Sequence, residues 1–449
     1  MTGGYTLTLK MPYGIDYVTR GYTIMIKQYS GREKRLKLKY KRRKEKRDSK
    51  RSSDLQNYCF EWMYDYYKWL DAIRDCKRGT YWKSSVQSYF FSTNINISTS
   101  INKLEKGKAP YDVNLRRMVI VERGKARFIE PVLISKRHCE HVFCDNIFVP
   151  YIRKSLIYDN GASLSGKGTD FSRRRMLRML ERQIRKSGCN FYIWQFDFKS
   201  FFESIKYKTV ELLMRHYYDD ERIINFIMDS VCEYTLGNIK REKDPVKKSE
   251  MQKQFDEGEG YGLCLGSQVS QNIAIIVPNK IDHYIKDVCR MANYIRYMDD
   301  GVVLHESKEV LQELYIKCCK ICEELGLNFN IKKTHIIKAT KGFTFLKTKY
   351  HVTKDGKLVR RPASASIKRC RRKLKKFKKK VDQGLMTLDN VFDSFQATYN
   401  HLKKIGRSYR SRKELVKLYK LLFGNYKLDR LLKSKSIRSA NYELLQSIA

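Results

Sequence analysis

Nowhere in the chain do about 18 apolar residues follow one another, so no segment reads as a membrane span. The opening MTGGYTLTLKMPYGIDYV lacks a basic stretch leading into an apolar one, so it does not read as a secretory signal. Cysteine is present twelve times, but paired spacing is missing. Cys318, Cys319 and Cys322 share one amphipathic segment and have no second CxxC, which fits reduced thiols in a cytoplasmic protein. His138, Cys139, Glu140, His141 and Cys144 have the composition of a zinc site, yet the apolar residues between and around them favour a packed helix. No internal repeat is visible. The sharpest shortage is of acid, with 48 Asp and Glu against 92 Lys and Arg, a net charge of +44. That imbalance excludes an ordinary neutral enzyme and points to a polyanionic partner. Thirty-one tyrosines and 21 phenylalanines beside those cations suit stacking on bases as well as contact with phosphates.

The few acids that matter are concentrated. In residues 291–305, MANYIRYMDDGVVLH, Tyr294 to Tyr297 and Val302 to Leu304 read as short strands around a Met298-Asp299-Asp300-Gly301 bend. Adjacent carboxylates on a tight turn repel, and a divalent cation removes that cost. An acidic surface hairpin would use the same letters. In residues 191–205, FYIWQFDFKSFFESI, an aromatic strand runs to Phe196 and ends on Asp197, before a helix opening near Ser200. Strand ends are common places for a ligand to a catalytic metal.

Other stretches supply surroundings. Residues 31–51 hold thirteen Lys and Arg against three acids, a solvated arm suited to nucleic acid. Residues 54–76 have helical aromatic spacing, and 92–102 read as a polar loop. Residues 116–133 read as a basic hairpin whose Lys125 and Arg127 suit a triphosphate, although a plain exposed hairpin looks alike. Gly161 to Gly168 is a near miss to a phosphate-binding P-loop, because Gly168 stands where Ser or Thr must bind Mg²⁺. A glycine-rich loop with Lys167 that lets a nucleic-acid backbone approach is the better reading. Residues 236–260 read as a polar, mobile insertion. Gly262-Leu-Cys-Leu265-Gly266-Ser-Gln-Val-Ser-Gln271 then opens a helix with backbone free to face a ligand. A helix is expected over 307–326, strands around Lys332-Lys333-Thr334, and a hairpin about Asp355-Gly356. From Ser366 the chain is helical, and residues 367–381 carry ten Lys and Arg.

Three carboxylates, Asp197, Asp299 and Asp300, suit nucleotidyl transfer. That chemistry uses two Mg²⁺ ions roughly 4 Å apart, bridged by carboxylates, to activate a 3′-hydroxyl and hold the triphosphate. Mn²⁺ could serve in their place.

With these motifs in order, residues from about Arg116 to Phe423 resemble a reverse transcriptase. Tyr297-Met298-Asp299-Asp300 is similar to the family's YxDD box, and Asp197 to its first palm aspartate. Lys125-Ala126-Arg127 resembles the fingers' KxR element, Lys333-Thr334 the palm lysine that can protonate pyrophosphate, and Gly342-Phe343 to Leu346 the primer grip. The resemblance implies an α+β right-hand polymerase: an N-terminal extension (1–110) with the basic arm, fingers (111–185), palm (186–355) and a basic helical thumb (356–449). It implies metal binding by Asp197, Asp299 and Asp300, catalysis assisted by Lys333, and a nucleotide site of Lys125, Arg127, Phe198, Phe202, Leu265, Gly266, Gln271, Tyr297 and Met298. Phe202, fifth after Asp197, would lie beneath the incoming sugar and exclude a 2′-hydroxyl. Nucleic acid would meet Arg42, Arg43, Lys167, Lys368, Arg369, Arg371, Arg372, Lys375 and Lys376.

The LGxxxSQ form of the glycine motif departs from the Gln-Gly…Ser-Pro of retroviral and intron enzymes. It is similar to the diversity-generating retroelement enzymes and their bacterial relatives. The long basic extension favours the antiphage-defence type, which works with a structured noncoding RNA. The expected partners are therefore RNA, a DNA product and dNTPs, with an oligomer possible and no membrane. An RNA-dependent RNA polymerase and a non-catalytic RNA-binding protein are the readings from other classes.

Overall fold

A computed structural model describes residues 53–113, 117–122 and 125–433, with isolated positions between 35 and 51. The chain forms two units, residues 1–58 and 59–449. In the first, the described positions of the basic arm, among them Arg35, Leu38, Lys41 and Arg42, are helical and exposed. Arg43 lies outside the described residues.

The second unit begins with helices α1 (Tyr66–Lys77), α2 (Ser84–Phe91) and α3 (Thr93–Glu105). Asp65 caps α1 by accepting from Tyr67 N. The stretch 92–102, expected as a loop, is mostly α3: its polar letters conceal Ile97, Ser100 and Leu104, which are buried on one helical face. A two-stranded hairpin follows, β1 (Met118–Glu122) and β2 (Lys125–Ile129), then α4 (Ile134–Phe143), which runs on through a π-turn at Cys144–Phe148. On α4, His138 spends both ring nitrogens within the protein, 2.6 Å from Trp69 O and 3.2 Å from the Tyr89 hydroxyl. Burial pushes it down to about 4, so it packs as a neutral ring.

The centre of the unit is an antiparallel sheet in the order β4 (Tyr294–Tyr297), β5 (Asp300–His305), β3 (Tyr192–Phe196), β6 (His335–Lys338). On one face Ile193, Ile295, Val302 and Leu304 pack against Met176 and Leu180 of α5 (Thr169–Ser187) and against Phe343 and Tyr350 of the next sheet. On the other, Trp194 and Phe196 meet Phe329, and Trp194 meets Tyr315 of a helix spanning Lys308–Glu324. Alternation along β3 thus buries both faces, and the mixed α+β architecture expected from the sequence is what forms.

Between β3 and β4 lie α6 (Phe201–Ser204), α7 (Tyr207–Tyr217), α8 (Glu221–Arg241), α9 (Pro245–Asp256), α10 (Gln268–Ile276) and α11 (Asn279–His283). The stretch 236–260 differs from the loop expected of it. It completes α8 and forms α9, whose start is set by Asp244 accepting from Val246 N and by Pro245 in the first turn. No α9 residue is buried, which explains why its letters read as a loop. After α12 (Lys308–Glu324) and β6 comes the sheet β7 (Phe343–Phe345), β8 (Thr348–Val352), β9 (Leu358–Pro362). Four helices close the described chain, α13 (Ser364–Asp382), α14 (Leu388–Lys403), α15 (Tyr409–Phe423) and α16 (Leu428–Lys433), around Leu374, Phe395, Leu415 and Tyr419. Only Cys370 and Leu374 of α13 are buried, so its ten cations face outward. All twelve cysteines are free thiols. No helix among the described residues is long and apolar enough to cross a membrane.

Candidate active site

Asp197 leaves the end of β3, and a second segment follows it closely. Lys199 N donates to Asn328 O at 2.8 Å and Asn330 N to Asp197 O at 2.7 Å, so residues 328–334 run beside the strand extension. This delivers Asn330 Nδ2 to 3.3 Å and Lys333 Nζ to 2.7 Å from Asp197 Oδ2. The Asp197 side chain is itself almost fully buried.

The paired aspartates arrive from the neighbouring strands. Tyr297 pairs with Asp300, which leaves Met298 and Asp299 as the turn between β4 and β5. Phe196 pairs with Gly301, so the turn lands next to Asp197. Glycine is needed at 301 because a Cβ there would lie 2.0 Å from Cζ of Phe196. Met298 adopts φ +55, in the left-handed region that a methionine rarely enters.

Three carboxylates therefore meet in a partly buried space. Burial, followed by the charges of Asp299 and Asp197, pushes Asp300 up to about 7. Burial and the Asp197 charge likewise raise Asp299. Lys333 supplies the nearby positive charge; partial burial lowers its pKa, but the hydrogen bond to Asp197 and the charges of Asp197, Asp299 and Asp300 together outweigh this and raise it. Among the described residues no three carboxylate, histidine or cysteine side chains form a ready-made metal cage, and Asp197 is turned to Lys333. The donor chemistry nonetheless fits a divalent cation. Carboxylates whose charge is disfavoured by burial first and by mutual repulsion second gain most from such an ion.

The glycine motif borders a separate cavity of about 600 Å³, lined among others by Ile129, Val132, Ser163, Gly266, Gln268 and Gln271. None of the three aspartates lines it. Gly266 has φ +123, and a Cβ there would stand 3.3 Å from Glu130 O, so the backbone itself faces the space. Ser267 caps α10 by accepting from Ser270 N. Beneath it lies Glu140, which the sequence reading considered only for zinc. Its carboxylate accepts from Ser267 Oγ at 2.7 Å, Gln268 N at 2.8 Å and Ser230 Oγ at 3.2 Å. Lys136, itself paired with Glu233 at 2.6 Å, stands 3.6 Å away. A buried carboxylate thus completes the helix start that presents the motif.

Residues 155–349 match a family model described as reverse transcriptase (RNA-dependent DNA polymerase). That segment is a reverse transcriptase domain. No curated protein matches the chain. Among solved structures, apo telomerase from Candida tropicalis is similar at 15% identity and TM-score 0.39, over 76% of this chain and 66% of that one. A form truncated from the C-terminal domain gives 13% and 0.39, over 54% of each chain. Telomerase from Candida albicans in complex with the TWJ fragment of telomeric RNA gives 14% and 0.38, over 70% and 57%. The chain spans little more than half the length of the truncated form.

Within the reverse transcriptase domain, three nearby phenylalanines separate cleanly. Phe198 is buried and stacks on Phe201 and Phe329, with centroids 5.2 and 5.3 Å apart. Expected in the nucleotide site, it lies in the core and bridges to Phe329 beside the strand end. Phe201 is also buried, whereas Phe202 is half-exposed at the start of α6. Leu265, Gln271, Tyr297 and Met298 are half-exposed as well, and Gly266 is open to solvent.

The basic residues fare unequally. Lys167, expected to meet nucleic acid, folds back on its own loop, donating to Tyr158 O at 2.8 Å and Asn160 O at 3.0 Å. Burial and Arg153 lower its pKa. Arg127 is exposed on β2; Lys125 lies on that strand, and its side chain is outside the described residues. On α13, Lys368, Arg369, Arg372, Lys375 and Lys376 are exposed, while Arg371 pairs with Glu414.

Proposed function

We propose that the chain is a polymerase that synthesises DNA on an RNA template. The observation that carries this reading is the convergence of Asp197, Asp299 and Asp300 beside Lys333, within a reverse transcriptase domain. Mg²⁺ ions bound by the three aspartates would activate the primer 3′-hydroxyl and offset the charge of the triphosphate. Asp197 and Asn330 fix the floor of the site, and Gly301 sets the depth of the paired carboxylates. Lys333 holds a proton at Nζ within reach of the reacting phosphates, as a group that protonates leaving pyrophosphate must. Gly266 presents bare backbone to the base pair, with Leu265, Gln271, Tyr297 and Met298 around it. Phe202, the half-exposed ring near Asp197, excludes the ribose 2′-hydroxyl. Arg127 and Lys125 on the hairpin neutralise the triphosphate. The outward cations of α13, with Arg42 and Arg43 of the arm, grip the nucleic-acid backbone.

The template is a dedicated structured noncoding RNA, and the role is antiphage defence in a bacterial cytoplasm. The net charge of +44 and the arm at 31–51 support a partner held through many phosphates. The LGxxxSQ motif supports the alternative of a diversity-generating retroelement enzyme. Primer extension on an RNA template with dNTPs or NTPs tests the activity, and sequencing of co-purifying nucleic acid tests the partner. NTP incorporation at dNTP efficiency would favour an RNA polymerase. Recovery of the protein free of nucleic acid, with equal affinity for random RNA, would contradict the dedicated partner.

A further inference from the structure

Arg296 lies on β4, two residues before the turn that carries the paired aspartates, and it is fully buried. A guanidinium removed from water must find a partner for each donor. Nε donates to Asp282 Oδ1 at 2.8 Å and Nη2 to Asp282 Oδ2 at 2.6 Å, a forked pairing with one carboxylate. The Tyr294 hydroxyl donates to the same carboxylate at 2.6 Å. Neutralising the buried charge needs no more than this. Two further bonds go elsewhere: Nη2 donates to Ile275 O at 2.7 Å, and Nη1 to Met298 O at 2.9 Å.

Those two carbonyls belong to the two halves of the site. Ile275 is in the last turn of α10, the helix that the glycine motif opens. Met298 begins the aspartate turn and sits at φ +55. The arginine is also pinned through its own backbone, since Arg296 N donates to Asp159 O at 3.2 Å and accepts Gly161 N on its carbonyl at 3.0 Å. We propose that Arg296 is a positioning residue that locks the Met298-Asp299-Asp300 turn to the glycine-motif helix, and so sets the geometry in which the aspartates receive a divalent ion. This rests on the polymerase reading of the site. A lysine at 296 offers a point charge without the planar fork, so it can answer Asp282 or the carbonyls but not all three together.

The test is Mn²⁺ binding, followed by electron paramagnetic resonance on the full chain without nucleic acid, alongside primer extension titrated with Mg²⁺. Arg296→Lys is expected to weaken Mn²⁺ binding by about tenfold or more, with a matching rise in the Mg²⁺ needed for half-maximal extension. RNA affinity at fixed salt should stay within about twofold, because it comes from surface cations. Adding Met298→Gly, which tolerates positive φ without support, should recover most of the lost Mn²⁺ affinity. A folded Arg296→Lys protein with unchanged Mn²⁺ affinity and Mg²⁺ dependence overturns the proposal. Should that variant not fold, Arg296→Met with Asp282→Asn removes both buried charges. A roughly tenfold loss of Mn²⁺ affinity in it supports the proposal, and wild-type affinity overturns it. Failure of both to fold makes the pair a purely structural one and overturns it too. A wild-type protein that binds Mn²⁺ but extends no primer contradicts the polymerase reading, and the Mn²⁺ comparison still decides the role of Arg296.

Discussion

Lys333 donates to Asp197 at 2.7 Å, so the first carboxylate of the site meets a protein cation where the proposed chemistry would place a metal. The arrangement depends on Asn330, whose backbone and side chain both bond Asp197 and whose carbonyl accepts from Lys333 N at 2.9 Å. A divalent ion held by Asp197 would compete with Lys333 for this oxygen and would leave the ammonium free to meet a phosphate.

Lys333→Met is expected to separate affinity from rate. Mn²⁺ binding should tighten by about threefold or more, because the competing charge is gone. Maximal extension should fall by about tenfold or more, because the proton donor is gone. Titration calorimetry and single-nucleotide extension on one preparation measure both. Weaker ion binding in this variant would mean that Lys333 supports the ligands rather than competing with them.

Asp300 is expected to make the metal-free protein pH-sensitive. Burial and the neighbouring carboxylates push its carboxyl up to about 7, from an ordinary aspartate value of about 3.9. Between those values the folded state binds the extra proton, so this group's contribution to stability falls as pH rises from about 4 to 7, and the full cost is present above 7. Asp300→Asn in EDTA should then raise stability at pH 8 by about 1–3 kcal/mol and have little effect near pH 4. Thermal melts of both proteins at the two pH values check it. A variant equally or less stable at pH 8 would show that Asp300 carries no such strain.

Phe202→Ala tests the sugar gate. The ring is half-exposed while its neighbours Phe198 and Phe201 are core, so trimming it should spare the fold. Discrimination against NTPs should drop by about tenfold, some 1.4 kcal/mol. Competing dNTPs and NTPs in single-nucleotide extension measure the ratio. An unchanged ratio with both substrates weakened would reassign Phe202 to packing.

Much of the centre was legible because strand alternation and turn letters carry it. Tyr294 to Tyr297 and the strand after Gly301 were read directly, as were Asp197 at a strand end and the amphipathic helix after Ser307. What escaped has a physical cause in each case. Leu346 and Lys347 turn between β7 and β8 with φ +47 and +66, and neither is a residue that signals a turn. The helices α3 and α9 carry polar letters over a narrow or absent buried face. Glu140 bonds partners 90 to 128 residues away, and Arg296 joins a helix and a turn that only the folded sheet brings to it, so nothing in the sequence pattern announces either. Lys167 looked available because nothing in the sequence shows that it closes on Tyr158 O and Asn160 O. The contact of Asn330 with Asp197 was likewise invisible; an Asn three residues before the lysine was its only trace.

The central claim is that Asp197, Asp299 and Asp300 form a nucleotidyl-transfer site separate from the surface that binds nucleic acid. Asp299→Ala combined with Asp300→Ala tests it, with primer extension on an RNA template and RNA binding measured on the same preparation. Extension should be lost while RNA affinity stays within about twofold, since the aspartates hold metal and the cations hold phosphate. Extension remaining within about tenfold of wild type would contradict the assignment of the site.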